Sequence, residues 1–201
     1  MKLGILGGTF DPIHLGHLIT AETALDAAKL DEVLLVPTGC SYFKADQKVT
    51  SAALRYEMTS AAAAGHARLR VSDVETSRPG NSYTAETLKE LHRQYPEDSL
   101  YYIVGADTLV MMSLWKDPQT IFDLSTVLVM TRSDEVSREG LADEVKRLGT
   151  DYGAQIAVLP CKNIEISSTE IRERVRQGRS IRYLVPPQVE AFIYRQGLYR
   201  G

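Results

Sequence analysis

The sequence predicts an α/β protein: a parallel sheet with helices on both faces. Two observations carry this. Short apolar runs of strand length alternate with longer segments whose apolar residues recur three or four apart. Runs apolar at consecutive positions suit strands buried on both sides, and their alternation with helices suits parallel pairing. A third observation concerns placement. Glycines, histidines, an aspartate and basic residues fall just after these runs, and such sheets take ligands beyond the carboxyl ends of their strands.

The elements follow in order. Leu3 to Leu6 reads as a buried strand, entered with only Lys2 before it. Leu18, Ala21, Leu25 and Ala28 then give one helical face. Val33 to Val36, inside Glu32 to Pro37, is a second strand, and Thr38 to Val49 is irregular. A helix capped by Thr50 or Ser51 runs through Leu54, Met58, Ala61 and Ala62 to Gly65. Arg68 to Val74 is a third strand, and Ser77 to Ser82 is a turn cluster. Leu88, Leu91 and Tyr95 line a helix that stops before Pro96. Leu100 to Val104 and Val127 to Met130 are the fourth and fifth strands. Glu139 to Leu148 is a surface helix, and Ile156 to Leu159 is a sixth strand. Two helices close the chain, Ser168 to about Gln177 and Pro186 to Gln196, the latter with Pro at its start and Gly197 past its end. No linker or repeat interrupts the pattern. The expectation is one Rossmann-like, doubly wound domain across 1–201.

Composition narrows the function. The chain has 201 residues, 44% hydrophobic and 24% charged, with a net charge of −3. That is ordinary globular composition, with no electrostatic footprint for nucleic acid or an anionic membrane. No secretory leader is expected, and no apolar run approaches the roughly 20 residues of a membrane span. Cys40 and Cys161 are the only cysteines. Two thiols without a C-x-x-C spacing predict reduced side chains and a cytoplasmic location.

The richest stretch is Gly7-Gly8-Thr9-Phe10-Asp11-Pro12-Ile13-His14-Leu15-Gly16-His17. It is a strand, a glycine turn and a helix start. The glycines permit φ values other residues avoid and close approach to a ligand. A helix N-terminus offers free N–H groups to phosphate. His14 and His17, three apart, can share a face there and, titrating near neutrality, can carry charge beside phosphate. The turn is neither G-x-G-x-x-G nor a P-loop, and no third ligand close in sequence favours a metal. Thr9 offers an N–H or hydroxyl, Phe10 serves equally as packing or contact, and Asp11 braces the turn.

A second stretch, Ser167-Ser168-Thr169-Glu170-Ile171-Arg172, combines a capping box (Ser167, Glu170) with hydroxyls and a guanidinium. It reads either as a helix cap alone or as a second phosphate cradle. Lys44, Thr84, Asp107 and Arg132 follow the second to fifth strands. Each has a plainer reading, as a solvated charge or a helix cap.

Gly-Thr-Phe-Asp-Pro with His-x-Gly-His, followed far downstream by Ser-Ser-Thr-x-x-Arg, resembles the signature of the nucleotidylyltransferase superfamily. Ser82-Tyr83-Thr84, Gly105-Ala106-Asp107, the single Trp115, Ser180 to Pro186 and Gly197-Leu198-Tyr199 extend this over nearly the whole chain. Within the superfamily the sequence resembles the bacterial nicotinate-nucleotide adenylyltransferases. The resemblance implies adenylyl transfer from ATP to nicotinate mononucleotide, giving nicotinate adenine dinucleotide and pyrophosphate, with Mg²⁺ accompanying ATP. It implies His14, His17, Lys44 and Arg172 as the catalytic set. ATP would meet Gly8, Thr9, Phe10, His14, His17, Gly105, Asp107, Arg132, Ser167, Ser168, Thr169 and Arg172. The mononucleotide would meet Lys44, Tyr83, Thr84 and Trp115, with Trp115 stacked on the pyridine and N–H groups near Tyr83 and Thr84 on its carboxylate. One departure is Phe43, where many members carry a histidine before the lysine. The rival readings are a sister adenylyltransferase for nicotinamide mononucleotide or another phosphorylated acceptor, a nonenzymatic nucleotide sensor, and a tRNA-synthetase-like fragment. Whether the chain forms a homo-oligomer is left open.

Overall fold

The computed structural model describes residues 1–41, 49–131 and 138–200. Its elements are β1 (Lys2–Gly8), α1 (Leu15–Ala27), β2 (Glu32–Pro37), β3 (Cys40–Ser41), α2 (Ala52–Ala63), β4 (Leu69–Val71), β5 (Asn81–Ser82) and α3 (Thr84–Gln94). Then come β6 (Ser99–Gly105), α4 (Ala106–Met111), a 3-10 turn (Met112–Leu114), α5 (Pro118–Leu124), β7 (Ser125–Thr131), α6 (Arg138–Tyr152), β8 (Ile156–Pro160), α7 (Ser168–Arg176) and α8 (Pro187–Arg195). Six strands form one sheet in the order β4-β2-β1-β6-β7-β8. The registered pairs β1–β6, β6–β7 and β7–β8 are parallel. With β1 inside and the winding reversing between β1 and β6, this is the Rossmann-like doubly wound order. A separate parallel pair joins Cys40 to Asn81 and Ser41 to Ser82.

The chain divides into two compact units. The first holds 1–6, 22–34 and 83–163. Its strands bury Leu3, Ile5, Val33, Leu100, Ile103, Val127 and Val129, as their continuous apolar runs require. Gly4 has a packing reason: a Cβ there would stand 2.7 Å from the side chains of Leu30 and Val33. Leu88 and Leu91 of α3 and Ile121 and Phe122 of α5 complete this core. The sequence reading gave α4 no bounds beyond a helix that Asp107 could cap after the fourth strand, and it placed no helix at α5. Both are short, and neither is long enough to show a period, although Pro118 at the first position of α5 is a start signal.

The second unit holds 7–21, 35–82 and 164–201. Here α2 packs against α8 and β4. Ser51 caps α2, accepting the Leu54 N–H at 3.4 Å. The buried stripe of α2 is Arg55, Met58, Thr59 and Ala63, not the predicted Leu54, Met58, Ala61 and Ala62. A buried arginine turns the helix away from its apolar reading. In α1 the buried residues are Ala21, Ala24 and Leu25, and Ala28 lies past the helix end. Among the described residues, no helix is long and apolar enough to cross a membrane.

Candidate functional site

The turn from Gly7 to His17 lies in the second unit. Gly7 and Gly8 end β1, and neither takes a positive φ, which corrects the expectation from sequence. The left-handed residue is Phe10, at φ 49°. Its ring is buried and folds back over Gly8, where a Cβ would stand 2.7 Å from the ring. The same ring meets His17 edge-on at 4.9 Å. Phe10 therefore serves as packing through its side chain, and Gly8 is needed for close approach rather than for its φ.

His14 sits just before α1 and His17 in its first turn, with their rings stacked at 3.6 Å and 23°. The His14 N–H donates to His17 Nδ1 at 3.2 Å. In neutral His17 the ring proton therefore resides on Nε2, which is then a donor. His14 is 6% exposed, and its Nδ1 is buried with no partner among the described residues. Burial pushes His14 down to about 4 and His17 to about 3, and any charge on His14 lowers His17 further. Burial thus favours the neutral imidazoles in the ligand-free chain, whereas the charge expected from the sequence is one carried beside bound phosphate. A polyanion would reverse the sign of that effect, since a nearby negative charge favours the imidazolium.

The second motif hydrogen-bonds to the first. Ser167 caps α7, its Oγ accepting the Glu170 N–H at 3.1 Å. Ser168 Oγ donates to the Pro12 carbonyl at 2.9 Å. Arg172 Nη1 donates to the Asp11 carbonyl at 2.8 Å, and its Nη2 reaches Thr169 Oγ1 at 3.3 Å. Two hydroxyls that the sequence offered to phosphate are therefore engaged within the fold. What α7 presents to an anion is its dipole, its first N–H groups, the Thr169 hydroxyl and the half-buried Arg172.

Behind the turn lies a brace that sequence reasoning did not find. Arg55, 2% exposed, donates from Nε to the Thr50 carbonyl, from Nη1 to that of Thr9 and from Nη2 to that of Gly39, each at 2.8 Å. Asp11, also buried, accepts the Tyr199 hydroxyl at 2.7 Å on Oδ1 and the Thr50 N–H at 3.3 Å on Oδ2. Burial and the Asp11 carboxylate push the Tyr199 phenol well above its ordinary range, so it remains a donor. The bracing role expected of Asp11 matches this geometry. The available signal for Arg55 was a lone arginine beside an apolar helical face, which is more often a solvated charge.

The remaining described candidates lie in the first unit. Thr84 starts α3, and its hydroxyl lies 3.5 Å from that of Tyr102. The Tyr102 ring meets Trp115 edge-on at 6.3 Å. Tyr83 carries the Lys116 ammonium 4.2 Å above its ring centroid. Tyr102 and Lys116 join this cluster unannounced by the sequence. Gly105 opens α4 with open space where a Cβ would stand, and Asp107 is exposed in the first turn of that helix. Lys44, Phe43 and Arg132 lie outside the described residues. Among the described residues, no group of three or more His, Cys, Asp or Glu is placed to hold a metal.

This fold and these two motifs define a nucleotidyltransferase class. The cytidylyltransferase-like family model matches residues 5–174. A protein of Desulfitobacterium hafniense strain Y51, named "probable nicotinate-nucleotide adenylyltransferase", is 41% identical over 199 residues, covering 99% of this chain and 96% of that one. One of Corynebacterium kroppenstedtii with the same name is 42% identical over 198 residues, covering 98% and 90%. The chain belongs to the nicotinate-nucleotide adenylyltransferase family. Its fold matches that of the Plasmodium falciparum nicotinic acid mononucleotide adenylyltransferase complexed with NaAD, with a TM-score of 0.79 at 18% identity, covering 98% of this chain and 97% of that one. The same enzyme complexed with APC gives a TM-score of 0.77.

Proposed function

We propose that this chain, acting as one nucleotidylyltransferase domain across 1–201, transfers the adenylyl group of ATP to nicotinate mononucleotide and releases pyrophosphate. The supporting observation is the hydrogen bonding of Ser168 and Arg172 to the Pro12 and Asp11 carbonyls, which joins two phosphate-type segments within one unit.

The acceptor phosphate is already an anionic nucleophile at pH 7. It attacks the α-phosphorus in line, the bond to the bridging oxygen breaks, and pyrophosphate leaves with the electron pair. No covalent enzyme intermediate is needed, so catalysis consists of positioning two polyanions and stabilising the leaving group. His17 donates through Nε2–H, and His14 gains basicity as phosphate arrives. Arg172 and the α7 N-terminus add positive potential, and the phosphates are assigned Lys44 by family position and Arg132 by its place after the fifth predicted strand. Trp115 stacks on the pyridine, with Tyr83 and Thr84 at its carboxylate. Mg²⁺ supplies charge neutralisation on the phosphates when bound. Its preference for phosphate oxygens, water and one or two carboxylates fits a chain in which Asp107 is exposed and makes no hydrogen bond among the described residues. We place the reaction in the cytoplasm.

The test is to incubate the purified chain with ATP·Mg²⁺ and one mononucleotide at a time, measuring pyrophosphate. Release with nicotinate mononucleotide and formation of the dinucleotide are expected. No release with any mononucleotide would overturn the reading in favour of a nucleotide sensor.

A further inference from the structure

We propose that Lys116 is a specificity-determining residue, a cation that selects a mononucleotide whose ring bears a carboxylate over one whose ring bears a carboxamide. The inference rests on the function proposed above.

The argument begins with shape. A pyridine carboxylate and its carboxamide are nearly isosteric, so an aromatic slot alone discriminates weakly between them. Charge is what separates them. Lys116 follows Trp115 directly, and its ammonium lies 4.2 Å above the Tyr83 ring, one residue before Thr84. The Tyr102 ring and hydroxyl link Thr84 to Trp115. A cation therefore stands in the same cluster as the ring platform.

Among the described residues, no carboxylate neutralises that cation. The neighbouring carboxylate, Asp117, is taken by Lys89 at 3.0 Å and by the Thr120 hydroxyl at 2.8 Å. Lys89 also reaches Glu86, at 3.9 Å. Lys116 makes no ion pair among the described residues. Its partner is a ring face, which holds an ammonium through the quadrupole and leaves its charge available. The turn that presents it is fixed: Asp117 takes the left-handed conformation at φ 55° and ψ 58°, unusual for a residue with a Cβ, and Pro118 starts α5 at once.

The test compares wild type with Lys116→Ala, Lys116→Arg and Lys89→Ala at saturating ATP·Mg²⁺, varying nicotinate and nicotinamide mononucleotide separately. Lys116→Ala is expected to raise KM for the acid about three- to fivefold and to leave KM for the amide within twofold, the size of effect an exposed charge pair supports. Lys116→Arg should retain most of the preference. Lys89→Ala, which removes the same charge from a paired position, should retain all of it. An acid-to-amide ratio in Lys116→Ala within twofold of wild type would overturn the inference, as would a wild type without acid preference. A wild type inactive on both mononucleotides would instead overturn the function reading.

Discussion

Gly16, between the two histidines, offers a sharp test of the phosphate turn. A Cβ on Gly16 would stand 3.0 Å from His14 Nδ1 and 3.1 Å from Cε1. Ordinary carbon contacts are about 3.5–4.0 Å, so the ring must retreat by roughly 0.5 Å. It has little room, being 6% exposed and stacked on His17 at 3.6 Å. Displacing a side chain from its rotamer costs about 0.5–1.5 kcal/mol. Alanine returns up to about 1 kcal/mol of helix propensity, less near a helix start. The two effects nearly cancel, and Gly16→Ala is expected to unfold in urea within about 1 kcal/mol of wild type. Activity has no such compensation. A shift of half an ångström in a donor beside the transferring phosphate should lower kcat about tenfold, since an error of 1 Å can cost about 100-fold. Gly149→Ala in α6 is the control, because its nearest atom beyond the local helix is 3.9 Å from the new Cβ. The assay pairs urea melts with pyrophosphate release. A Gly16→Ala enzyme of unchanged stability and wild-type kcat would refute the reasoning.

Three further outcomes are expected. Arg55→Met removes three charge-assisted bonds and strands three carbonyls, which should cost about 3–5 kcal/mol in urea melts, with Arg55→Lys recovering part. A wild-type midpoint in Arg55→Met would refute the brace. Trp115→Ala should raise KM for the pyridine substrate about three- to tenfold at saturating ATP, the range of an aromatic stack, and an unchanged KM would count against stacking. The histidine pair should make the fold acid-sensitive. Both folded pKa values, about 4 and about 3, lie below the unfolded value of 6.5, so the unfolded chain binds more protons between them. Stability is full above pH 6.5 and falls with pH through that window, by about 2 kcal/mol per histidine at pH 5. The His14→Asn, His17→Asn double variant should flatten this slope, and an equally steep slope in it would assign the loss elsewhere.

The sheet was legible because its strands are apolar on both faces. Val33 to Val36 and Val127 to Met130 leave no other reading at that length. The two phosphate segments were legible because glycine, histidine and hydroxyl residues at helix starts carry their own chemistry. Three things were not. The protonation of His14 and His17 depends on burial, and spacing says nothing of it. The hydroxyl of Ser168 looked available because its acceptor is a backbone carbonyl far away in sequence, whereas the Ser167 cap was legible. Arg55 was hidden because its partners are three carbonyls, and every residue has one. Likewise α4 and α5 are too short for periodicity to register.

The bonds from Ser168 and Arg172 to the phosphate turn span 156 and 161 positions. Their length in sequence orders events during synthesis. At about 5–20 residues per second, the Asp11 and Pro12 carbonyls wait roughly 10–30 s on the ribosome before α7 exists to engage them. Until then the histidine pair lacks the neighbour that fixes its turn, so a partly translated chain carries the signature without the working geometry. The contact between the two segments therefore matures late, as a consequence of where in the message the second is written.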